Sequence, residues 1–155
     1  MEVISGSCRL GLWFVQVTWS GQNIHRVRFA TTGIPGEVPG LIRRFCAGQM
    51  VDLTSLDSIA LHEETVYARI YRAVQKIPYG STATYGEIAR EVGTSPRVVG
   101  QAMARNPTPL VIPCHRVVAA DGIGGFSAPS IEIKEELLAM ERKGMWKKQK
   151  KAESG

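Results

Sequence analysis

A cysteine and a histidine stand side by side in an apolar segment rich in proline. Residues 106–118 read Asn-Pro-Thr-Pro-Leu-Val-Ile-Pro-Cys-His-Arg-Val-Val, which places Cys114 next to His115. A thiol attacks as its thiolate, and a nearby imidazole is a common means of removing the thiol proton. Inert packing is the alternative, because cysteine is among the residue types most often buried. The segment therefore predicts either a nucleophile or a packed thiol, and the flanking elements must decide.

The cysteines and histidines indicate neither a disulfide framework nor a metal site. Cys8, Cys46 and Cys114 are widely spaced without a C-x-x-C pair, and His25 and His62 lie at no ligand spacing. We expect a reduced, cytoplasmic protein that uses no metal or cofactor. The chain shows neither an export signal nor an apolar run of about 18 residues, so we expect no membrane span.

The net charge of +5 favours a nucleic-acid partner only weakly, because one segment supplies it. Residues 142–151 contain six cations and no acid, so the rest of the chain sums to −1. We predict that residues 142–155 form a basic, disordered tail, which adds at most a nonspecific attraction to phosphates.

Residues 1–61 are predicted to form a small, strand-rich α/β domain. Two β-rich runs, residues 12–19 and 24–29, flank Ser20-Gly21-Gln22-Asn23 and predict a hairpin. A short helix is expected around residues 41–45 and a further strand over residues 51–56. This half contains no chemical motif.

Residues 62–141 are predicted to form a mainly helical domain. Apolar residues at helical spacing predict a helix over 62–77. A short helix over 84–92, a turn containing Gly93, and a helix over 96–105 with Ser95 as N-cap and Pro96 in the first turn then predict a helix-turn-helix. Such a hairpin alone does not establish nucleic-acid binding.

The second helix of this hairpin is the candidate DNA-binding element. Its small residues would permit close approach to a groove, although packing against another helix favours small residues equally. The candidate DNA contacts are Thr94, Ser95, Arg97, Gly100 and Ala102. The inward face is expected to include Val98, Val99, Ala102 and Met103.

Four short sequence motifs follow one another along the second half of the chain. They are Thr84-Tyr85-Gly86-Glu87-Ile88-Ala89, Ser95-Pro96-Arg97, Asn106-Pro107 and Pro113-Cys114-His115-Arg116-Val117. Over about residues 62–141 the chain thereby resembles the O6-alkylguanine-DNA alkyltransferases, also called methylated-DNA–protein-cysteine methyltransferases. Residues 1–61 resemble the family's variable N-terminal domain only in being strand-rich, and the zinc ligands of some members have no evident counterpart.

The resemblance implies an α+β fold with a winged-helix-like DNA-binding unit, and direct-reversal DNA repair. Such a protein binds duplex DNA through the minor groove and flips an O6-alkylated guanine, with O4-alkylthymine as a further candidate substrate. It transfers the alkyl group irreversibly to its own cysteine, so each molecule acts once. We expect a monomer that acts on double-stranded DNA and has no membrane partner.

The resemblance also implies a proton relay. Cys114 matches the alkyl acceptor, and His115 matches the base, which acts in the family through a water molecule. Neighbouring side chains of an extended segment diverge, which agrees with a bridging water. Glu141, on a predicted helix over 131–142, matches the carboxylate that holds the imidazole, and Asn106 matches the residue that orders the segment. Arg116 is expected to bind carbonyls or a carboxylate beneath the site.

Other residues match the family's contacts with the lesion. Tyr85 matches the phenol that donates a hydrogen bond toward guanine, and Arg97 matches the arginine that fills the space left by the flipped base. Met103, Val117 and Ser127 are expected to line the substrate pocket with Tyr85.

The loop after Ser127 departs from the family's pattern. Ala128-Pro129-Ser130 stand where some members have Gly-Gly. We expect a stiffer, fuller pocket wall that tolerates bulky alkyl groups less well.

Other functions are weighed against these residues. A noncatalytic alkyltransferase-like protein would bind the lesion, but such relatives replace the acceptor cysteine. A cysteine hydrolase needs an oxyanion site, for which no signature surrounds Cys114. A transcription factor would not need the Cys-His segment.

Overall fold

The computed structural model describes residues 2–124 and 131–154. Within them, strands are β1 (Ile4–Leu10), β2 (Trp13–Ser20), β3 (Asn23–Ala30), β4 (Asp57–Ser58), β5 (Ala83–Thr84) and β6 (Val117–Val118). The helices are α1 (Gly40–Cys46), α2 (Val66–Gln75), α3 (Tyr85–Val92), α4 (Pro96–Ala104) and α5 (Ile131–Ser154), with 3-10 turns at Ile59–Leu61 and Cys114–Arg116. The first sheet has the order β1-β2-β3-β4, and β5 pairs with β6. The predicted mixed α/β fold is confirmed.

The predicted hairpin is confirmed, and a strand that was not predicted extends its sheet. β2 and β3 are antiparallel around Gly21, whose φ of 57° suits glycine. β1 pairs with β2 over its whole length. The sequence of β1 is poor in β-branched residues, so its strand propensity is low. Its backbone nevertheless packs closely on that of Gly36 and Glu37 at Gly6, where a Cβ would lie 2.2 Å from the Glu37 carbonyl oxygen. Tertiary packing, not local propensity, therefore forms this strand.

The predicted strand over residues 51–56 is wrong. Leu53 and Leu56 are buried, but the Leu56 amide donates to the Leu53 carbonyl and the Thr54 amide donates to the Asp52 carboxylate. These bonds close turns, so the apolar residues anchor a loop. The following β4 pairs in parallel with the start of β3.

The helix-turn-helix is confirmed close to its predicted bounds. Thr84 and Glu87 form a capping box at α3, and Gly93 ends that helix with φ of 84°. Ser95 caps α4 through the Val98 amide, and Pro96 occupies its first turn. The preceding α2 is shorter than predicted because Thr65 caps it, so that it begins at Val66.

Most of the buried apolar residues that the structure describes form two hydrophobic clusters. One joins the four-stranded sheet to α1 and also contains Leu110, Ile133 and Leu137. The other, called the helical cluster below, joins α2, α3 and α4 and contains Cys114. Because the first cluster draws on residues beyond position 61, the division of the chain at residues 61 and 141 stays a prediction.

The predicted disordered tail is helical in the structure, which corrects that expectation. α5 continues through Ser154. Gly144 packs on the ring of Tyr79, and Met145 packs on Gly80, where a Cβ would lie 2.2 Å from the Met145 Cγ. These contacts, together with lysines that favour helices, extend α5 beyond the core. Among the helices that the structure describes, none is long and apolar enough to cross a bilayer.

Candidate active site

Cys114 begins a single 3-10 turn, so the expected extended conformation of this segment is wrong. The Cys114 amide donates to the Ile112 carbonyl at 2.7 Å, and the Arg116 amide donates to the Pro113 carbonyl at 2.9 Å. The side chains of Cys114 and His115 nevertheless diverge. Cys114 packs in the helical cluster, whereas the His115 ring lies 6.3 Å from the ring of Phe45 beside the sheet.

Asn106 ties the two ends of the cysteine segment together. Its Nδ2 donates to the Ile112 carbonyl at 2.8 Å, and its Oδ1 accepts from the Thr108 amide at 3.0 Å. Its side chain also acts to lower the pKa of the Cys114 thiol. The amide therefore orders the backbone before the cysteine and favours the thiolate.

A buried ion-pair network lies beneath His115. Its Nε2 is 2.6 Å from Oε2 of Glu141, which also accepts from Nη2 of Arg116 at 3.0 Å. Glu141 Oε1 accepts from the amide of Gly80 and from Nε of Arg116. Arg116 donates further to the Ile77 carbonyl at 2.8 Å. The expectation that Arg116 binds a carboxylate and a carbonyl is confirmed.

The network fixes the protonation states of its members. Burial would raise the pKa of Glu141, but hydrogen bonds from His115 and Arg116 outweigh it and lower the pKa to about 2. Burial lowers the pKa of His115, and although the hydrogen bond and the charge of Glu141 act to raise it, the charges of Arg116 and Lys134 act in the same direction as burial. Glu141 is thus ionised and can only accept, so neutral His115 carries its proton on Nε2. Its Nδ1 keeps a free lone pair that can accept a proton.

The thiol of Cys114 is protonated at neutral pH. Its burial raises the pKa to about 11, although Asn106 and the charge of Lys134 act to lower it. At pH 7 a pKa of that size leaves about one thiolate in ten thousand molecules. A base must therefore accept the proton as the sulfur reacts.

Tyr85, Met103 and Val117 gather on the side of the site that includes Cys114. Met103 and Val117 are buried in the helical cluster with the cysteine, and Tyr85 packs against the same cluster. The Tyr85 ring also lies beside Gly124, where a Cβ would approach it to 3.0 Å. The predicted pocket residue Ser127, like the rest of the loop over 125–130, lies outside the described residues. A cleft of about 670 Å³ is lined in part by Pro113 and Arg116.

The candidate DNA contacts divide into exposed and buried residues. Ser95 and Arg97 are exposed at the start of α4, while Thr94 and Gly100 are partly buried. Ala102 is wholly buried, and its carbonyl accepts from the Tyr71 hydroxyl at 2.8 Å. Its assignment as a DNA contact is therefore wrong. The inward face predicted for α4 is confirmed for Val99, Ala102 and Met103, which are buried.

Comparison with known proteins agrees with this geometry. The family model described as 6-O-methylguanine DNA methyltransferase, DNA binding domain, matches residues 65–143, about half of the chain. The chain belongs to this methyltransferase family. The match begins at the N-cap of α2 and ends two residues after Glu141, so it includes both the helix-turn-helix and the buried network.

Curated relatives of this chain are named methylated-DNA–protein-cysteine methyltransferases. The protein of Metallosphaera sedula is 48% identical over 83 residues, which cover 54% of this chain and 53% of that protein. The protein of Methanopyrus kandleri is 41% identical over 100 residues, which cover 64% of this chain and 75% of that protein. The chain thus spans about half the length of the first of these relatives.

Solved methyltransferase structures share the fold over nearly the whole chain. O6-methylguanine methyltransferase of Mycobacterium tuberculosis superposes with a TM-score of 0.72 at 26% identity, covering 92% of this chain and 94% of that one. The enzyme of Pyrococcus kodakaraensis gives a TM-score of 0.68 at 27% identity, covering 90% and 99%. A structure of the M. tuberculosis protein in complex with DNA gives 0.71 at 26% identity, covering 89% and 92%.

Lys134 is a residue of this candidate site that the sequence did not lead us to predict. It has no exposed surface, its Nζ donates to the Val117 carbonyl at 2.7 Å, and it lies 5.8 Å from the centroid of the Tyr85 ring. Burial lowers its pKa to about 8, while Cys114 acts to raise it. The signal was present in the sequence, because Lys134 precedes Leu138 by four residues and Glu141 by seven, which places all three on one helix face.

Proposed function

We propose that this methyltransferase repairs duplex DNA by taking the alkyl group of O6-alkylguanine onto Cys114. The observation that carries the proposal is the buried thiol, which lies beside the His115–Glu141 pair in sequence and in the segment that Asn106 orders. The sulfur attacks the alkyl carbon, the bond from carbon to O6 breaks, and its electron pair stays on guanine. The thioether has no hydrolytic exit, so each molecule acts once.

His115 serves as the base in the proposed reaction. Glu141 holds the proton on Nε2, which leaves Nδ1 to accept the proton of Cys114. The two side chains diverge, and the structure records no hydrogen bond between them, although both are described. A bridging water therefore carries the proton from sulfur to Nδ1. The carboxylate of Glu141 then stabilises the imidazolium.

Lys134 and Tyr85 act on the charges that develop during transfer. The ammonium of Lys134 favours the thiolate of Cys114 by charge, which partly offsets the cost of burial. The phenol of Tyr85 donates toward the departing guanine and offsets its negative charge. Overall, the thiol proton leaves Cys114 and guanine regains one proton, so the transfer is balanced.

The start of α4 is the proposed DNA-contacting surface. Exposed Arg97 fills the space left by the flipped base, and Thr94, Ser95 and Gly100 let the helix approach the minor groove. The solved complex of the M. tuberculosis relative with DNA supports DNA as the partner.

We further infer that the protein acts as a monomer in the cytoplasm and that residues 1–61 form its smaller domain. O4-alkylthymine is a second candidate lesion.

Intact mass spectrometry after incubation with O6-methylguanine duplex DNA tests the proposal. We expect a gain of one methyl group, mapped to Cys114 by peptide analysis and absent from Cys114→Ala. Undamaged DNA of the same sequence is the control. An unchanged mass with retained lesion binding would instead favour the alternative, a noncatalytic alkyltransferase-like protein.

A further inference from the structure

A phenylalanine from the sheet-bearing half of the chain lies against the imidazole of His115. Phe45 is wholly buried near the end of α1. The centroid of its ring is 6.3 Å from that of His115, and the two ring planes are inclined at 59°. Tilted ring pairs at such separations attract each other. The half of the chain that contains no chemical motif therefore contacts the candidate active site directly.

Tyr79 connects Phe45 to the guanidinium of Arg116. The rings of Phe45 and Tyr79 meet edge to face, with centroids 5.9 Å apart and planes at 82°. The Cζ atom of Arg116 lies 5.7 Å from the centroid of the Tyr79 ring. The Tyr79 hydroxyl is buried and has no hydrogen-bond partner among the described residues, so Tyr79 contributes its ring. Because His115 and Arg116 both bind Glu141, these side chains form a closed ring of contacts.

The hydrogen bond to Glu141 fixes only one edge of the imidazole. It holds Nε2 at 2.6 Å from the carboxylate, but a ring that is bound through one atom can still turn about that contact. The direction in which Nδ1 points depends on the plane of the ring. A proton acceptor that is displaced by a fraction of an ångström reacts more slowly. A second contact, against the side of the ring, is therefore needed, and Phe45 makes it.

We propose that Phe45 is a positioning residue, which holds the ring of His115 in the plane where Nδ1 can accept the proton of Cys114. This inference rests on the proposed role of His115 as the base. Phe45 acts through the imidazole, and Tyr79 holds Phe45 from its other neighbour in the ring of contacts. The flat face of the aromatic ring is the essential feature. Leucine at position 45 would keep an apolar side chain without that face, and tyrosine would keep the face.

Side-chain ¹⁵N NMR of the full-length protein tests the positioning without a substrate. In the unmodified protein, the two ring nitrogens of His115 should have well-separated shifts, because the neutral ring carries its proton on Nε2. Phe45→Leu should bring the two shifts closer together, since a ring that turns exchanges between tautomers. The matched control is Phe29→Leu, the same change at another buried phenylalanine of the first cluster, and it should leave the shifts separated. Unchanged shifts in Phe45→Leu, or equal changes in both variants, would overturn the proposal.

Transfer from free O6-methylguanine provides the second readout, because a free base removes any effect on DNA binding. In single-turnover measurements, Phe45→Leu should be slower than Phe29→Leu by about fivefold or more. Phe45→Tyr should regain most of the rate even if its added hydroxyl lowers the stability of the fold. A tyrosine variant as slow as the leucine variant would refute the role of the ring.

A further variant and the two readouts keep the possible failures apart. If Phe45→Leu does not fold, Phe45→Met replaces it, because methionine fills a similar space without a ring. If the unmodified protein transfers no methyl group, the proposed function has failed. The NMR comparison of Phe45 and Phe29 variants then still decides whether Phe45 positions the imidazole.

Discussion

The Nε2 atom of His115 and the Oε2 atom of Glu141 lie 2.6 Å apart, and neither residue has more than 1% of its surface exposed. A carboxylate in such a place is stabilised only if its charge is compensated. Arg116 provides that charge through hydrogen bonds to both carboxylate oxygens. The imidazole can therefore stay neutral and act as a base.

Replacing Glu141 with glutamine should weaken both transfer and the fold. Glu141→Gln leaves the guanidinium of Arg116 buried without its anion, which we expect to cost about 3–5 kcal/mol in the free energy of unfolding. It also removes the group that fixes the His115 tautomer, so methyl transfer should slow. Urea unfolding and single-turnover rates measure the two effects. Glu135→Gln, at an exposed position of the same helix, is the control and should change neither.

Stability should fall with decreasing pH. The pKa of His115 is lowered in the folded state, so the unfolded chain takes up its proton first below about pH 6.5. The folded pKa of Glu141 is about 2, so its contribution is present above its ordinary pKa near 4.5 and is lost as the pH falls toward 2. Both groups act with the same sign.

Urea unfolding at several pH values between about 8 and 4 measures this dependence. His115→Asn should flatten the upper part of the curve. A free energy of unfolding that stays constant for the unmodified protein from about pH 7 to 5 would contradict the neutral state of His115.

The positive charge of Lys134 should favour the thiolate of Cys114, in addition to the hydrogen bond that Lys134 donates to the Val117 carbonyl. In Lys134→Met, the Val117 carbonyl loses its partner at an expected cost of about 1–3 kcal/mol, and Cys114 loses the nearby cation. Lys134→Gln can restore a donor but not the charge. We expect the glutamine variant to recover stability while transferring methyl groups about tenfold or more slowly. If the glutamine variant recovered both the stability and the rate of methyl transfer, the role of Lys134 would be purely structural.

Arg97 should matter only when a base must leave the duplex. Arg97→Ala should keep the fold and slow methyl transfer from duplex DNA on the order of tenfold or more, because the extruded base is no longer replaced. Transfer from free O6-methylguanine should be unchanged, since a free base needs no extrusion. The matched control is Arg90→Ala on the exposed surface of α3. An equal decrease with the free base would argue against the flipping role.

The lysines of the terminal helix offer a test of nonspecific DNA binding. Five of them are exposed, and four of these recur at spacings of four, three and one residue, which places them on one face: Lys143, Lys147, Lys150 and Lys151. Replacing all four with glutamine should keep the helix and reduce the slope of log affinity against log salt by up to about 0.9 for each phosphate that the lysines neutralise. An unchanged slope would mean that this face is only solvated.

Local signals explain what could be predicted of the fold. The helix-turn-helix follows from Thr84, Glu87 and Ser95, which cap helices through bonds to residues three positions away, and from Pro96 in the first turn of α4. β1 was missed, since its pairing with β2 outweighs a weak local propensity. The strand predicted over 51–56 failed because alternating apolar residues also fit a loop whose leucines reach the core.

The sequence alone determined the reactive segment, its order relative to the helix-turn-helix, and the family resemblance, because short motifs and helix caps are local. Tertiary structure decided which groups meet. It brings His115 to Glu141, buries Lys134 near Cys114, and buries Ala102 away from the exposed surface of α4. The acidity of each group depends on burial and on charges a few ångströms away, and both arise only when distant segments pack together.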